Sequence, residues 1–291
     1  MTEPQAEPWS IKRVLAWATD DFRRRGNKSA RLDAELLLGE AIGFDRIKLI
    51  VEAERPLAEA ELGRYRELIK RRRNGEPIAY ILGRREFFAL PFRVDRRVLI
   101  PRPDTEVLVE TALSGTQPRH LFGRMLDLCT GSGCVAIAFA KVRPTWRITA
   151  VDISKDAAEL ARENAQRAGV VHHVNVLEGD LFATLPEASQ FELITANPPY
   201  IPSGDIPGLD VDVRDFEPRL ALDGGADGLT IIRRLLEEAP RYLVSGGLIA
   251  MEVGFDQAPA VAELFEAAGF VDVARAKDLA GIERVVSGRQ R

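Results

Sequence analysis

The alternation of short apolar runs and helical stretches from residue 125 onward is what most restricts the fold. Runs at 125–129, 148–151, 174–177 and 191–196 have strand length, and stretches of helical length separate the first three. Parallel neighbours need a crossover, and a helix supplies it. Residues 231–243, 248–253 and 258–268 continue as helix, strand, helix, and 271–276 with 283–287 read as a closing pair of strands. An open, doubly wound, mostly parallel α/β sheet is therefore expected, with ligand lying across the C-terminal ends of its strands.

Those ends carry the candidate site. The first strand runs into Cys129-Thr130-Gly131-Ser132-Gly133 and then a helix, the geometry for close approach of a cofactor. Asp152 ends the second strand, where a carboxylate can accept from both hydroxyls of a ribose. Asp180 and Leu181 follow the third, where an acid and an apolar residue can flank an adenine. Gly131-x-Gly133-x-x-Ala136 also satisfies a dinucleotide fingerprint, so the glycines alone leave a dehydrogenase open.

The fourth strand separates the two readings, because it ends in Asn197-Pro198-Pro199-Tyr200. Two prolines remove two N–H donors and keep their carbonyls, and Asn197 adds a side-chain carbonyl. Tyr200 adds a flat apolar face with a polar tip. Such a corner suits a planar group bearing an NH2, either an amide or an exocyclic base amine. Hydride transfer has no need of it, and no histidine or lysine is placed as an acid for that chemistry. A nucleoside cofactor that donates a methyl group fits better.

Residues 1–83 carry no catalytic pattern. Ile11, Val14, Leu15, Ala18 and Phe22 recur at helical spacing behind Ser10, and further helices are expected at 32–42, 45–53 and from Leu62 to the basic run Lys70-Arg71-Arg72-Arg73. Cations there complement a helix C-terminus. A small helical bundle follows, serving recognition. Residues 84–98 read as a two-stranded ribbon broken at Leu90-Pro91, and 99–291 as the catalytic domain.

The net charge of −4 and pI near 5.6 count against a general nucleic-acid binder. Cys129 and Cys134 suit no disulfide framework, and His120, His172 and His173 lack metal-ligand spacing. With no apolar leader and no run of membrane-spanning length, a cytoplasmic location is expected.

Together these segments resemble the release factor glutamine methyltransferase (HemK/PrmC) family of S-adenosylmethionine-dependent enzymes. The resemblance spans nearly the whole chain. It rests on Gly75-Glu76-Pro77-Ile78-Ala79-Tyr80, Ile100-Pro101-Arg102-Pro103-Asp104-Thr105-Glu106, the Asp127 to Gly133 turn, the Asn-Pro-Pro-Tyr corner, Glu217-Pro218-Arg219-Leu220-Ala221-Leu222 and Lys277-Asp278-Leu279-Ala280-Gly281. The resemblance implies a seven-stranded sheet with an antiparallel last strand. It implies a methyl acceptor that is the glutamine of a Gly-Gly-Gln loop in class I peptide release factors. Cys129 to Gly133 would line the methionine and ribose part of S-adenosylmethionine, Asp152 would hold the ribose hydroxyls, Asp180 and Leu181 would sit by the adenine, and Asn197 through Tyr200 would take the substrate amide. Asn197, Pro198 and Tyr200 would thus be the catalytic residues.

One departure is Cys129, where the family commonly has glycine. A cysteine suits the turn if φ is negative there. The loop 202–227 is expected to be a lid or docking loop anchored by Phe216, Leu220 and Leu222. Three other functions share parts of the pattern: methylation of a ribosomal protein glutamine, methylation of an exocyclic amine in nucleic acid, and a non-catalytic partner-binding protein that keeps the fold.

Overall fold

The structure is a computed structural model that describes residues 8–116 and 122–291, so His120 lies outside the described residues. The chain divides into two compact units, one ending at Gly83 and the other beginning at Arg84.

The first unit is helical. Helix α1 (Ile11–Arg24) starts where Ser10 Oγ accepts from Arg13 N, and it buries Ile11, Val14, Leu15, Ala18 and Phe22. Helix α2 (Ala30–Ile42) stops at Gly43, whose φ of +71° suits glycine. Helix α3 (Arg46–Val51) is capped by Asp45, and α4 (Glu59–Arg73) and α5 (Ile78–Leu82) complete the unit. Leu37, Leu38, Tyr65 and Ile69 share one core with the α1 stripe. The basic run that closes α4 does more than complement a helix end. Arg72 Nε donates to the buried Asp33 at 2.9 Å, Arg73 pairs with Asp21 and Arg71 with Glu76, so three of its four cations tie the unit together.

The second unit opens with the hairpin β1 (Arg84–Phe87) and β2 (Leu90–Arg93), in register Phe87 with Leu90. The ribbon was expected to break at Leu90-Pro91. Its turn lies instead at Phe88-Ala89, with φ of +50° and +56°, the mirror-image turn that matches strand twist. Pro91 is accommodated because the sheet has only two strands and each is an edge. Neither turn residue is glycine, so each is held against a preference of roughly 1–2 kcal/mol. Phe88 N donates to Glu106 Oε1 at 2.8 Å, which fixes the strained turn to the start of helix α6 (Glu106–Gly115).

The main sheet contains β3 (Arg124–Leu128), β4 (Arg147–Asp152), β5 (Val174–Glu178), β6 (Phe191–Ala196), β7 (Leu243–Glu252), β8 (Val271–Lys277) and β9 (Glu283–Arg289), in the spatial order β5-β4-β3-β6-β7-β9-β8. Pairings from β5 to β7 are parallel. The last strand, β9, runs antiparallel between β7 and β8. Helices α7 (Cys134–Val142) and α8 (Lys155–Arg167) form the crossovers β3 to β4 and β4 to β5. The short α9 (Val211–Arg214) lies in the loop after β6, and α10 (Thr230–Tyr242) and α11 (Ala258–Ala267) follow.

Alternate residues Leu126 and Leu128, Ile194 and Ala196, Ile249 and Met251 join Leu235, Leu236, Val261 and Phe265 of α10 and α11 in one core. That is the period-2 pattern of a sheet face meeting helical stripes. Chain order reverses between β3 and β6, which opens a crevice at their C-terminal ends.

Candidate active site

A cleft fills that crevice. Its lining includes Cys129, Thr130, Gly131 and Ser132 after β3, Asp152 at the end of β4, Asp180 and Leu181 after β5, and Asn197 and Pro199 after β6. Residues more than sixty positions apart in sequence thus share one wall. Gly133, Pro198 and Tyr200 are not among the lining residues. Gly133 serves packing: its φ is +79°, and a Cβ there would stand 3.3 Å from Ala161 Cβ, where α7 passes α8.

Asp127 braces the glycine turn from beneath. Its two carboxylate oxygens accept from Thr130 Oγ1 and Thr195 Oγ1, each at 2.6 Å, and burial pushes its carboxyl up to about 6 against the pull of both hydroxyls. Asn164 braces the same turn from the side. Its Nδ2 donates to Ser132 O and Arg93 O while its Oδ1 accepts from Arg93 N, so one buried amide ties α8 and β2 to the turn.

Cys129 has φ +56°, contrary to the negative φ expected of a cysteine there. The chain leaves β3 through this left-handed residue, and two residues on Gly131 N meets Asp152. Leu181 shares the feature at φ +51°. Backbone is strained at two points of the cleft, both in residues proposed to face the ligand.

Asp152 Oδ2 accepts from Gly131 N at 2.8 Å and Oδ1 from Ser154 N at 2.9 Å. Burial raises its carboxyl above the ordinary value, and these two N–H groups counter that. Each oxygen keeps a second acceptor site, so the group can still receive a diol. Gly131 has open space where a Cβ would stand, leaving the cleft unobstructed beside that carboxylate. With Val151, Ile153 and Leu181 also in the lining, the donor set and the apolar walls fit a nucleoside. Asp180 is ion-paired to Arg234 at 2.8 Å.

At the corner, Asn197 Nδ2 donates to Thr105 Oγ1 at 3.4 Å. Thr105 lines the cleft as well, so the amide nitrogen is engaged within the wall, which leaves Oδ1 as the group available to a ligand. Tyr200 Oη donates to Glu252 Oε1 at 3.2 Å, and Gln257 Nε2 donates to the Tyr200 carbonyl at 2.9 Å. Gly224 and Gly228 press on the corner from the far side. A Cβ on Gly224 would come within 2.8 Å of Pro199 O, and one on Gly228 within 2.3 Å of Tyr200 O, so backbone packs directly on backbone.

The segment Pro101-Arg102-Pro103-Asp104-Thr105-Glu106 is a junction whose four polar members each reach a different part of the unit. Arg102 pairs with buried Glu217 in the 202–227 loop, Asp104 with Arg284 of β9, Thr105 with Asn197 and Glu106 with the hairpin turn. Arg284 also holds Asp278, whose carboxylate caps the turn between β8 and β9. The loop itself is ordered as short helical turns at Ile206–Gly208, α9 and Arg219–Ala221. Leu222 is buried and Phe216 lies under Arg96, while Leu220 is 55% exposed and borders the cleft; the deep contact is Glu217.

The sequence shows Arg102 and Glu217 only as members of the segments that carry the resemblance, without a role, and no motif in it singles out Asn164 or Glu252. Glu252 carries a visible signal, an acid closing the apolar run Leu248-Ile249-Ala250-Met251, as Asp152 closes β4. The other three are read only from the fold. Among the described residues no group of His, Cys, Asp or Glu could hold a metal ion, and no helix is long and apolar enough to cross a membrane.

Residues 13–83 match the PrmC N-terminal domain and residues 103–206 the methyltransferase small domain. A release factor glutamine methyltransferase of Geobacter sulfurreducens is 45% identical over 289 residues, covering 99% of each chain. This chain belongs to the release factor glutamine methyltransferase family. A family member from Pseudomonas aeruginosa is likewise 45% identical, over 92% of this chain and 96% of its own. A methyltransferase from Pyrococcus furiosus, 18% identical, shares the fold with a TM-score of 0.50 over 70% of this chain and 90% of its own. The methyltransferase fold and the family's protein-glutamine chemistry agree with what the motifs implied.

Proposed function

We propose that this protein transfers a methyl group from S-adenosylmethionine to the side-chain amide nitrogen of the glutamine in the Gly-Gly-Gln motif of class I peptide release factors, in the cytoplasm. The observation that carries this reading is the orientation of Asn197: its Nδ2 is engaged by Thr105, and its Oδ1 is free for an amide hydrogen at the cleft wall.

Asp152 would hold the ribose hydroxyls, Asp180 and Leu181 would flank the adenine, and Cys129 to Ser132 would line the rest of the cofactor. The bound cofactor supplies a methyl group made electrophilic by a sulfonium. An amide nitrogen is a poor nucleophile, so the protein's work is to aim it. Asn197 Oδ1 and the Pro198 carbonyl accept the two amide hydrogens, point the nitrogen at the cleft and stabilise positive charge as it develops there. Pro199 and the Tyr200 ring confine the plane of the amide. No strong base is required, because the methylated nitrogen is acidic enough to release its proton to water. The helical unit, which has no catalytic pattern, serves recognition of the large protein substrate.

The test is incubation with methyl-labelled S-adenosylmethionine and a class I release factor, beside one whose Gly-Gly-Gln glutamine is replaced, with the label located by peptide mass spectrometry. Label on that glutamine alone supports the reading. Label on a ribosomal protein or on nucleic acid overturns the substrate, and failure to bind the cofactor overturns the enzyme.

A further inference from the structure

Next to Asn197, at the C-terminal ends of the strands, stands a buried carboxyl. Glu252 closes β7 at 2% exposure. Ala196 pairs with Met251 in parallel register, so the next residue on each strand brings Asn197 and Glu252 alongside each other at the sheet edge. Tyr200 Oη donates to Glu252 Oε1. Thr105, 2% exposed, stands near enough for its hydroxyl to favour the carboxylate form, although Oε2 has no hydrogen bond of normal geometry among the described residues. Thr105 Oγ1 accepts from Asn197, which leaves its own proton for another acceptor, and the Glu252 carboxyl, whose Oε2 has no partner among the described residues, is close enough to feel that hydroxyl. An ionised acid in such a place is costly relative to a packed apolar side chain. Its retention there calls for a use.

We propose that Glu252 and Thr105 are positioning residues for the amide-binding corner: Glu252 draws the Thr105 proton toward itself, Thr105 then accepts from Asn197 Nδ2, Asn197 Oδ1 is held toward the cleft, and the Tyr200 hydroxyl is pinned by the same carboxylate. This rests on the methyl-transfer reading above, and deepens it. The alternative amide rotamer would present an N–H2 to a substrate N–H2 and repel it. The other charged groups that bear on Glu252 are Asp104, which favours its neutral form, and Arg284 of β9, which favours its charged form. Burial is the larger influence and lifts the carboxyl to about 7, against the two hydroxyls. As pH falls through that value, the grip on Thr105 weakens and turnover falls with it.

The experiment compares wild type, Thr105→Val, Thr105→Ser, Glu252→Gln and the double variant Thr105→Val with Glu252→Gln. Turnover on a labelled release-factor glutamine is measured as a function of pH, cofactor affinity by calorimetry, and the Asn197 side-chain amide resonances in 1H–15N spectra. Thr105→Val and Glu252→Gln are each expected to lower kcat roughly tenfold, less than loss of Asn197 itself, while cofactor affinity stays within about twofold. Thr105→Ser restores most of what Thr105→Val loses, the acid limb near neutrality disappears in Glu252→Gln, and the double variant is little worse than either single one. The Asn197 resonances move in the Val and Gln variants and not in the Ser variant. Unmoved resonances, or unchanged kcat in Thr105→Val, overturn the positioning role. A wild type that methylates no glutamine defeats the proposed function instead, and the resonances still decide the positioning.

Discussion

Arg102 Nη2 lies 2.8 and 2.7 Å from the two carboxylate oxygens of Glu217, across 115 residues of sequence. The Glu217 side chain is 1% exposed, and burial raises its carboxyl while Arg102 opposes the shift. This pair ties the loop that follows the Asn-Pro-Pro-Tyr corner to the segment that leads into α6.

Arg102→Ala leaves that carboxyl buried without its counter-charge; because the Arg102 side chain is itself 34% exposed, the cost falls below the roughly 3–5 kcal/mol of a fully buried pair. The loop spanning residues 202–227 is therefore expected to loosen, and limited proteolysis should cut it markedly faster than in wild type. Arg102→Lys, which keeps the charge, should fall between the two. Equal digestion of Arg102→Ala and wild type would show that the loop is held by other contacts.

Position 129 should invert the ordinary ranking of alanine over glycine. With φ at +56°, a Cβ is strained, so Cys129→Gly is expected to be more stable than Cys129→Ala by about 1 kcal/mol. The comparison of two small residues cancels most of the lost sulfur packing. Denaturant titration of the pair measures it, and alanine coming out ahead would mean the turn relaxes to a negative φ.

Asn197→Ala and Asp152→Asn should separate aim from affinity. Losing one preorganised acceptor at the corner is expected to reduce methyl transfer on the order of 10²-fold with little change in cofactor affinity. Asp152→Asn removes charge and an acceptor site from the ribose wall, so it should act chiefly on cofactor binding, by roughly tenfold or more. Calorimetry and single-turnover rates on both variants check the assignment, and an Asn197 variant with normal turnover would remove it from the mechanism.

Two buried acids make stability depend on pH in the direction opposite to salt-bridged carboxylates. Asp127 and Glu252 are lifted to about 6 and about 7, above their values of 3.8 and 4.5 in an unfolded chain. Between those limits the folded state binds more protons, so these groups make stability fall as pH rises and cease to contribute a slope above the folded value. Glu252→Gln should therefore be more stable than wild type at pH 8, by about 2 kcal/mol, and lose that advantage near pH 5. Thermal melts at the two pH values test this. A variant no more stable at pH 8 would mean that the carboxylate is better solvated than its burial implies.

Fold class and candidate site were legible because both rest on local patterns. The strands from β3 to β6 are short apolar runs bounded by turn residues, and Ser10, Gly43 and the glycines after β3 mark helix limits by chemistry that acts within a few residues. What escaped depends on pairing across long separations. Nothing near Arg102 names Glu217, and nothing near Asn164 names Arg93 or Ser132. The hairpin turn was misplaced because Phe88-Ala89 carries no turn chemistry; its conformation is held by Glu106, a tertiary contact. Cys129 is a related case, since its left-handed φ sits in a turn tied to Asp152 twenty-three residues on and a cysteine gives no sign of it.

The placement of β9 also orders the assembly of the sheet in time. Strands β5, β4, β3, β6 and β7 follow one another through parallel pairings that can form as their crossovers are delivered. Strand β8 has no such partner, because its neighbour is β9, the segment made after it. A chain emerging from its own ribosome, N-terminal elements first, therefore carries β8 unpaired until Glu283–Arg289 slides in beside β7. Arg284, on that same later strand, is the residue that grips Asp104, so the lead-in to the amide corner gains this tie only after β8 and β9 have both been made, later than its ties to Glu106, Asn197 and Glu217.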